Sequence, residues 1–314
     1  MLRTHSNAQA PLRHRCMGCG GSCQSVHVSL FGDEPERIRA LAAQLDVSEP
    51  VDEDNHLRKV DGACVFLDPG NLCRIHARFG PEAKPTVCRQ FPIVAVRAED
   101  GVRVGIDPSC YTAVQTWRDG PLAEEGSLIS SKVSFEEGQA RQEARLIEDL
   151  EAPGATVAGV LARLCGQAPP EDGGLPEGFG ERLLERIRAG KVQEFVSGAI
   201  VGPQMAAALG PVLAHAVDSD APGPWPVLSP EAEAWAIEAT RRVVFLRLAS
   251  VSLPSVAGVG LLMLSGAVLC GWTAPDTETF GHHLSGWIRA LRFRPFWTRI
   301  TPDPRTLSWL ATGR

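Results

Sequence analysis

The chain has a single tyrosine, and aromatic residues make up 6% of its 314 positions. A surface that stacks on bases needs more of them. It has no basic excess either: the formal net charge is -6 and the pI is near 5.8. General nucleic-acid binders are usually basic, so no nucleic-acid partner is expected. The opening stretch MLRTHSNAQAPLRHR is polar and lacks an apolar h-region. No secretory signal is therefore expected, and the chain is expected to be cytoplasmic. No fixed-period repeat is evident. The Rossmann glycine signature is missing as well: Gly258-Val-Gly260 lacks the third glycine and the following acid.

What the chain does have is cysteine. Seven of its nine cysteines fall in the first 110 residues. Without export, disulfides are not expected, because the cytosol keeps thiols reduced, and nine is an odd count. A metal or a cluster is the expected bonding partner. Cys16-Met-Gly-Cys19-Gly-Gly-Ser-Cys23 reads as a knuckle in which Gly18, Gly20 and Gly21 let the backbone fold back. Its C-x2-C pair is the usual chelating spacing. Cys64, Cys73, Cys88 and Cys110 follow at longer gaps, each beside a turn. Seven thiols exceed the four of a tetrahedral zinc or a [4Fe–4S] cluster. Either one centre uses four of them, or two centres exist with a helper such as His76. For any one cysteine the plain alternative is a buried free thiol, and Cys165 and Cys270, in apolar helical contexts, are read that way. The order C-x2-C-x3-C is the reverse of the radical S-adenosylmethionine signature, and a ferredoxin run is absent. The number of separated thiols favours an iron–sulfur cluster, with zinc the alternative on the same ligand chemistry.

The expected fold is mainly α with a small β-hairpin: an irregular, metal-organised amino-terminal module packed on a helical carboxy-terminal half. The division is placed at residues 1–120 and 121–314. Within the module, residues 1–15 read as a loose arm and Val26–Phe31 as a weak strand. A short helix is expected after Gly32-Asp33-Glu34-Pro35, with Ile38, Leu41, Ala42 and Leu45 as its apolar stripe. A hairpin is expected around Glu99-Asp100-Gly101. Asp107-Pro108-Ser109 reads as the cap of a helix carrying Cys110.

Further on, helices are expected over Phe135–Leu150, Thr156–Leu164, Glu181–Ile187, Val192–Ile200, Pro230–Leu253 and, last, His282–Ala290. Leu248 to Pro275 holds no charged residue and is long enough to span a bilayer. Pro254 divides it, so it is read as buried core, and no membrane partner is expected. His282-His283 reads as an exposed or capping pair. Arg289, Arg292, Arg294 and Arg299, interleaved with Phe293, Phe296 and Trp297, read as a snorkelling helix face, with contact to an acidic partner the alternative.

The knuckle, Cys64-Val-Phe-Leu, Leu72-Cys73-Arg-Ile-His76 and Cys88-Arg-Gln-Phe-Pro92 together resemble a cysteine-cluster family described as zinc- or iron-chelating (YkgJ-like), and the related flagellin lysine N-methylases. The resemblance covers about residues 16–112. Ser22 stands where the pattern has the first cysteine of a Cys-Cys pair. The resemblance implies a cysteine-bound metal centre. In the methylase branch it also implies methyl transfer from S-adenosylmethionine to the lysines of a protein substrate. No residue of the helical half matches that branch, so no catalytic residue is carried over. A metal carrier or chelator is a third reading. Oligomeric state is not legible.

Overall fold

The computed structural model describes residues 4–6, 12–25, 27–122, 130–171, 173–197, 202–218, 226–249 and 255–314. Val26, the end of the expected Val192–Ile200 helix, the Pro-rich stretch 219–225 and Leu253-Pro254 lie outside them.

The elements follow in chain order. β1 (Thr4–Ser6), α1 (Gly21–Ser25), α2 (Glu34–Ala43), β2 (Lys59–Val60) and β3 (Ala63–Cys64) come first. Next are α3 (Arg74–Phe79), α4 (Thr86–Gln90), β4 (Ile93–Ala98), β5 (Gly101–Ile106), α5 (Ala113–Thr116) and β6 (Ser130–Lys132). The rest is helical: α6 (Glu137–Glu151), α7 (Val157–Leu164), α8 (Phe179–Ala189), α9 (Gln193–Ser197), α10 (Pro203–Asp218), α11 (Pro230–Phe245), α12 (Val256–Thr273), α13 (Thr277–Leu291), α14 (Arg294–Ile300) and α15 (Pro304–Thr312). The fold is mainly α with small β parts, as expected.

β4 and β5 form the antiparallel hairpin around Glu99-Asp100, with Ala98 opposite Gly101. The hairpin is the centre of a four-stranded sheet ordered β1-β5-β4-β6. Both outer strands run parallel to their neighbours, Thr4 opposite Val102 and Ala95 opposite Ser130. The expected loose arm thus supplies an edge strand. A two-stranded ribbon leaves open backbone groups on both sides, and short flanking segments satisfy them. Among the described residues 27–31 there is no strand, just a bridge from Ser29 to His56.

Two apolar cores result. The larger holds β4, β5, the segment from Cys110 to Val114 and most of the helices. α12 runs through it. It is long and apolar enough to cross a membrane by length and composition, and most of its residues are buried among other helices. Gly266 allows close approach here: a Cβ there would lie 2.2 Å from the Trp287 ring, whose Nε1 donates to Leu262 O. The smaller core consists of Leu30, Ile38, Ala42, Leu57, Phe66 and Ile75, with Cys64, Cys73 and Cys88 packed against it. α2 contributes its buried Ile38 and Ala42, with Leu41 and Leu45 at the edge, as its stripe predicts.

Three helix expectations need correction. α11 ends at Phe245 rather than Leu253, because Arg247 takes φ 51° and turns its guanidinium inward. α13 is not the last helix: α14 and α15 follow, with Pro295 and Pro304 in their first turns. Cys110 lies in the turn between β5 and α5, where Asp107 O accepts its N–H at 3.1 Å.

Candidate metal centre

The knuckle folds back as its glycines predict. Gly18 and Gly20 sit at φ 67° and 68°, in the left-handed region that a side chain resists. Gly21 opens α1, which carries Cys23 on its third residue. The knuckle rests on the loop that presents Cys73. A Cβ at Gly18 would lie 3.3 Å from Leu72, one at Gly20 2.9 Å from Asn71, and Gln24 Nε2 donates to Asn71 Oδ1. That loop is tied locally: Asp68 Oδ1 accepts from Leu72 N at 2.8 Å, and Arg74 N donates to Phe66 O at 2.8 Å. Cys64 comes from β3, and Cys88 from α4. α4 is pinned to α2 through Glu34, whose Oε1 accepts from Thr86 N and Oγ1, both at 2.7 Å, while its Oε2 accepts from Phe31 N.

Cys110 is held by the helical half. Ser285 on α13 donates to Pro108 O at 2.9 Å and to Cys110 O at 3.3 Å. Arg289 Nε donates to Ser109 O at 2.8 Å, and Arg292 pairs with Asp107 at 2.7 Å. Burial alone would raise the Asp107 carboxyl, but the Arg292 guanidinium holds it below the usual range. Arg289 also reaches the knuckle, donating to Ser22 Oγ at 2.9 Å. Ser22, the departure from the cysteine pattern, thus makes one of the knuckle's hydrogen bonds to the helices.

All seven expected cysteines, Cys16, Cys19, Cys23, Cys64, Cys73, Cys88 and Cys110, line one cavity of about 150 Å³. It lies at the seam of the two cores: Cys64, Cys73 and Cys88 pack on the smaller, and Cys110 belongs to the larger. Cys16 is exposed, Cys110 is buried and the other five are half-buried. The thiols surround the space without meeting at a point. Among the described residues no three Cys, His, Asp or Glu groups are gathered closely enough to hold a single metal ion. Cys165 and Cys270 are buried elsewhere in the larger core, as expected.

The lining is apolar apart from the thiols, His14, Ser22, Thr112, Lys59 and Lys84. Burial pushes the Cys64 thiol up to about 12, with the Cys23 and Cys73 thiols adding to the shift. Burial also pushes Cys23, Cys88 and Cys110 upward. Cys23, Cys64, Cys73 and Cys88 form a mutually interacting set, in which charge on one opposes charge on another. Cys19 acts on Cys110 in the same way. Lys84 opposes the shift at Cys23 and Cys88, Lys59 at Cys64, and Arg289 at Cys110. Thiolates crowded in an apolar cavity need positive charge, and a bound metal supplies it while displacing the thiol protons. The donor set therefore fits a thiophilic metal centre.

Other expectations fare differently. His76 is exposed on α3 and outside the cavity lining, whereas His14 lines the cavity, its Nδ1 3.3 Å from Thr116 Oγ1. His282 and His283 are not an exposed pair. The His282 ring packs 4.8 Å from Tyr111, and His283 is buried with Nδ1 3.1 Å from Thr273 Oγ1. Of the arginine series, Arg289 and Arg292 turn in to the Cys110 turn, and Arg299 NH1 donates to the carbonyls of Gly190 and Lys191. Tyr111, Arg289, Lys59 and Lys84 gave no signal as site residues in the sequence. Arg289 stood out there merely as part of a basic, aromatic stretch.

Among curated proteins and among solved structures nothing matches the chain. Residues 15–111 match the family model CxxCxxCC, described as "Putative zinc- or iron-chelating domain", and this segment contains all seven cavity cysteines.

Proposed function

We propose that this chain is a metal-binding cysteine-cluster protein that holds an iron–sulfur cluster through the cysteines of the cavity. One observation carries the reading: seven thiols, from segments far apart in sequence, line a single small cavity. The match over residues 15–111 supports zinc or iron chelation and does not choose between them. The number of thiols favours the cluster: seven exceed the four that one zinc takes, and they come from several separated turns. Cys23, Cys64, Cys73 and Cys88 are the ligands this reading puts first, with Cys16, Cys19 and Cys110 lining the same cavity. Such a centre, when bound, supplies a structural staple or a one-electron carrier. The chain's own residues shape the cavity, keep it largely apolar and set Lys59 and Lys84 beside the thiols.

Zinc is the second reading, because the same soft donors suit it. A cavity of about 150 Å³ is below the roughly 300–1,000 Å³ of pockets for organic ligands. We therefore do not assign S-adenosylmethionine to it, and the lysine N-methyltransferase alternative, with its protein substrate, would need a different site. Gly258 and Gly260 do not offer one: they lie within α12, where added Cβ atoms would meet Leu307 and Leu146 at 2.8 and 2.7 Å.

Anaerobic purification with metal and acid-labile sulfide analysis tests the reading. Stoichiometric iron and sulfide are expected, with Cys64→Ser and Cys88→Ser each reducing both. A colourless protein with one equivalent of zinc and no sulfide leaves a thiolate metal site but rejects the cluster. No stoichiometric metal rejects both.

A further inference from the structure

Tyr111, between the cavity-lining Cys110 and Thr112, carries an unexplained group beside this cavity. The residue is 4% exposed, and its hydroxyl oxygen is buried without a hydrogen-bond partner among the described residues. Native interiors hold few such atoms, and each calls for an explanation. The ring is fixed from several sides. His282 packs at 4.8 Å, and the Arg289 guanidinium lies 4.7 Å from the ring centroid. On the knuckle side is the backbone of Gly21, where a Cβ would fall 2.4 Å from the ring. That same point is 3.6 Å from Cys19 Sγ, so the ring and the sulfur share the space that a side chain at Gly21 would fill. Arg289 is 3% exposed, and its bonds to Ser109 O and Ser22 Oγ fix its charge against both the knuckle and the Cys110 turn.

We propose that Tyr111 and Arg289 are positioning residues of the thiolate centre: once metal is bound, the Tyr111 O–H, which has no partner among the described residues, donates toward the Cys19 thiolate, and the Arg289 cation balances thiolate charge beside it. The inference rests on the metal-centre reading above. A thiol sulfur is a weak acceptor, and a thiolate is a charged one, so the hydrogen bond strengthens when metal replaces the protons. Outer-shell partners of this kind commonly change metal affinity by about 10–100-fold.

The test uses the full-length chain, purified anaerobically with its own metal and challenged with EDTA. Tyr111→Phe removes the oxygen and keeps the ring. It is expected to lose metal at least about tenfold faster than wild type and to shift the sulfur-to-metal absorption. In excess chelator its urea midpoint is expected to match or exceed wild type, since a buried hydroxyl without a partner is no support to the fold. Arg289→Lys, which keeps the charge, is expected to retain metal better than Arg289→Met. Wild-type metal retention and spectrum in Tyr111→Phe would overturn the proposal. So would an equal loss of stability in chelator, which would make the residue a packing element. Equal metal loss in Arg289→Lys and Arg289→Met would remove the role of charge. A wild-type chain that carries no metal would overturn the metal reading and this inference with it.

Discussion

At Gly21 one hydrogen atom decides whether the knuckle can close. Tyr111 cannot move aside, because His282 and Arg289 pack against its ring. Gly21→Ala is therefore expected to destabilise the chain by about 1–3 kcal/mol, the usual cost of overpacking, as read from urea unfolding. Tolerance of alanine there would mean that the ring is free to shift. The cysteines themselves were legible, since their spacing is local and their chemistry unusual. Their surroundings were not. Ser22 and the Arg289 that bonds it are 267 positions apart, and nothing in a linear pattern links them. Tyr111 was visible in the sequence just as the lone tyrosine, and its burial is a property of the packed fold.

Among the elements, the turn after α11 is the most consequential departure from the sequence reading. The sequence suggests one helix over Pro230–Leu253, yet Arg247 ends the helical stretch. Its Nε and NH2 donate to Glu143 on α6, both at 2.9 Å, and its NH1 donates to Val133 O at 2.7 Å. Glu143 also accepts from Arg103 on β5 at 2.9 Å. The sheet, α6 and the end of α11 thus meet at one buried carboxylate. Arg247→Met leaves Glu143 short of a partner and is expected to cost about 3–5 kcal/mol, measured by chemical denaturation. A loss below about 1 kcal/mol would show the pair to be dispensable. α10 was missed for a related reason: Pro211 lies inside it, and proline usually ends a helix. The hairpin and α2 were legible because their turn and cap signals agree with their apolar patterns.

For the molecule as a whole, acid should act in two steps. Burial, helped by His282, pushes His283 down to about 4 from an unfolded value near 6.5. Its neutral form supports the fold, and that contribution is present above about pH 6.5 and lost as pH falls toward 4. The hydrogen bond from Arg247 pushes Glu99 down to about 2. Its contribution is present above about pH 4.5 and lost as pH falls toward 2. Glu99 is partly exposed, so its step should be the smaller. Urea midpoints should thus fall from pH 7 to pH 4.5, and His283→Gln should flatten that slope. An unchanged slope in the variant would assign the effect elsewhere. The mainly helical class was legible at this scale from the apolar stripes, but the partition into two cores was not. It depends on which residues of the amino-terminal third turn toward α13, and no periodicity carries that information.

The seam between those cores has a consequence for amide exchange. The smaller core rests on six buried apolar residues, too few to make it one cooperative unit with the helices by themselves. Three of the cavity's cysteines pack on that side, and Cys110 belongs to the other. A ligand gripping both sets acts as a rivet. With metal bound, the amides of α2 and α3 should exchange with deuterium on the slow timescale of α12. After chelation they should exchange early and together while α12 stays protected. Early exchange of α2 and α3 in both states would mean that the two cores open independently whatever the thiols hold.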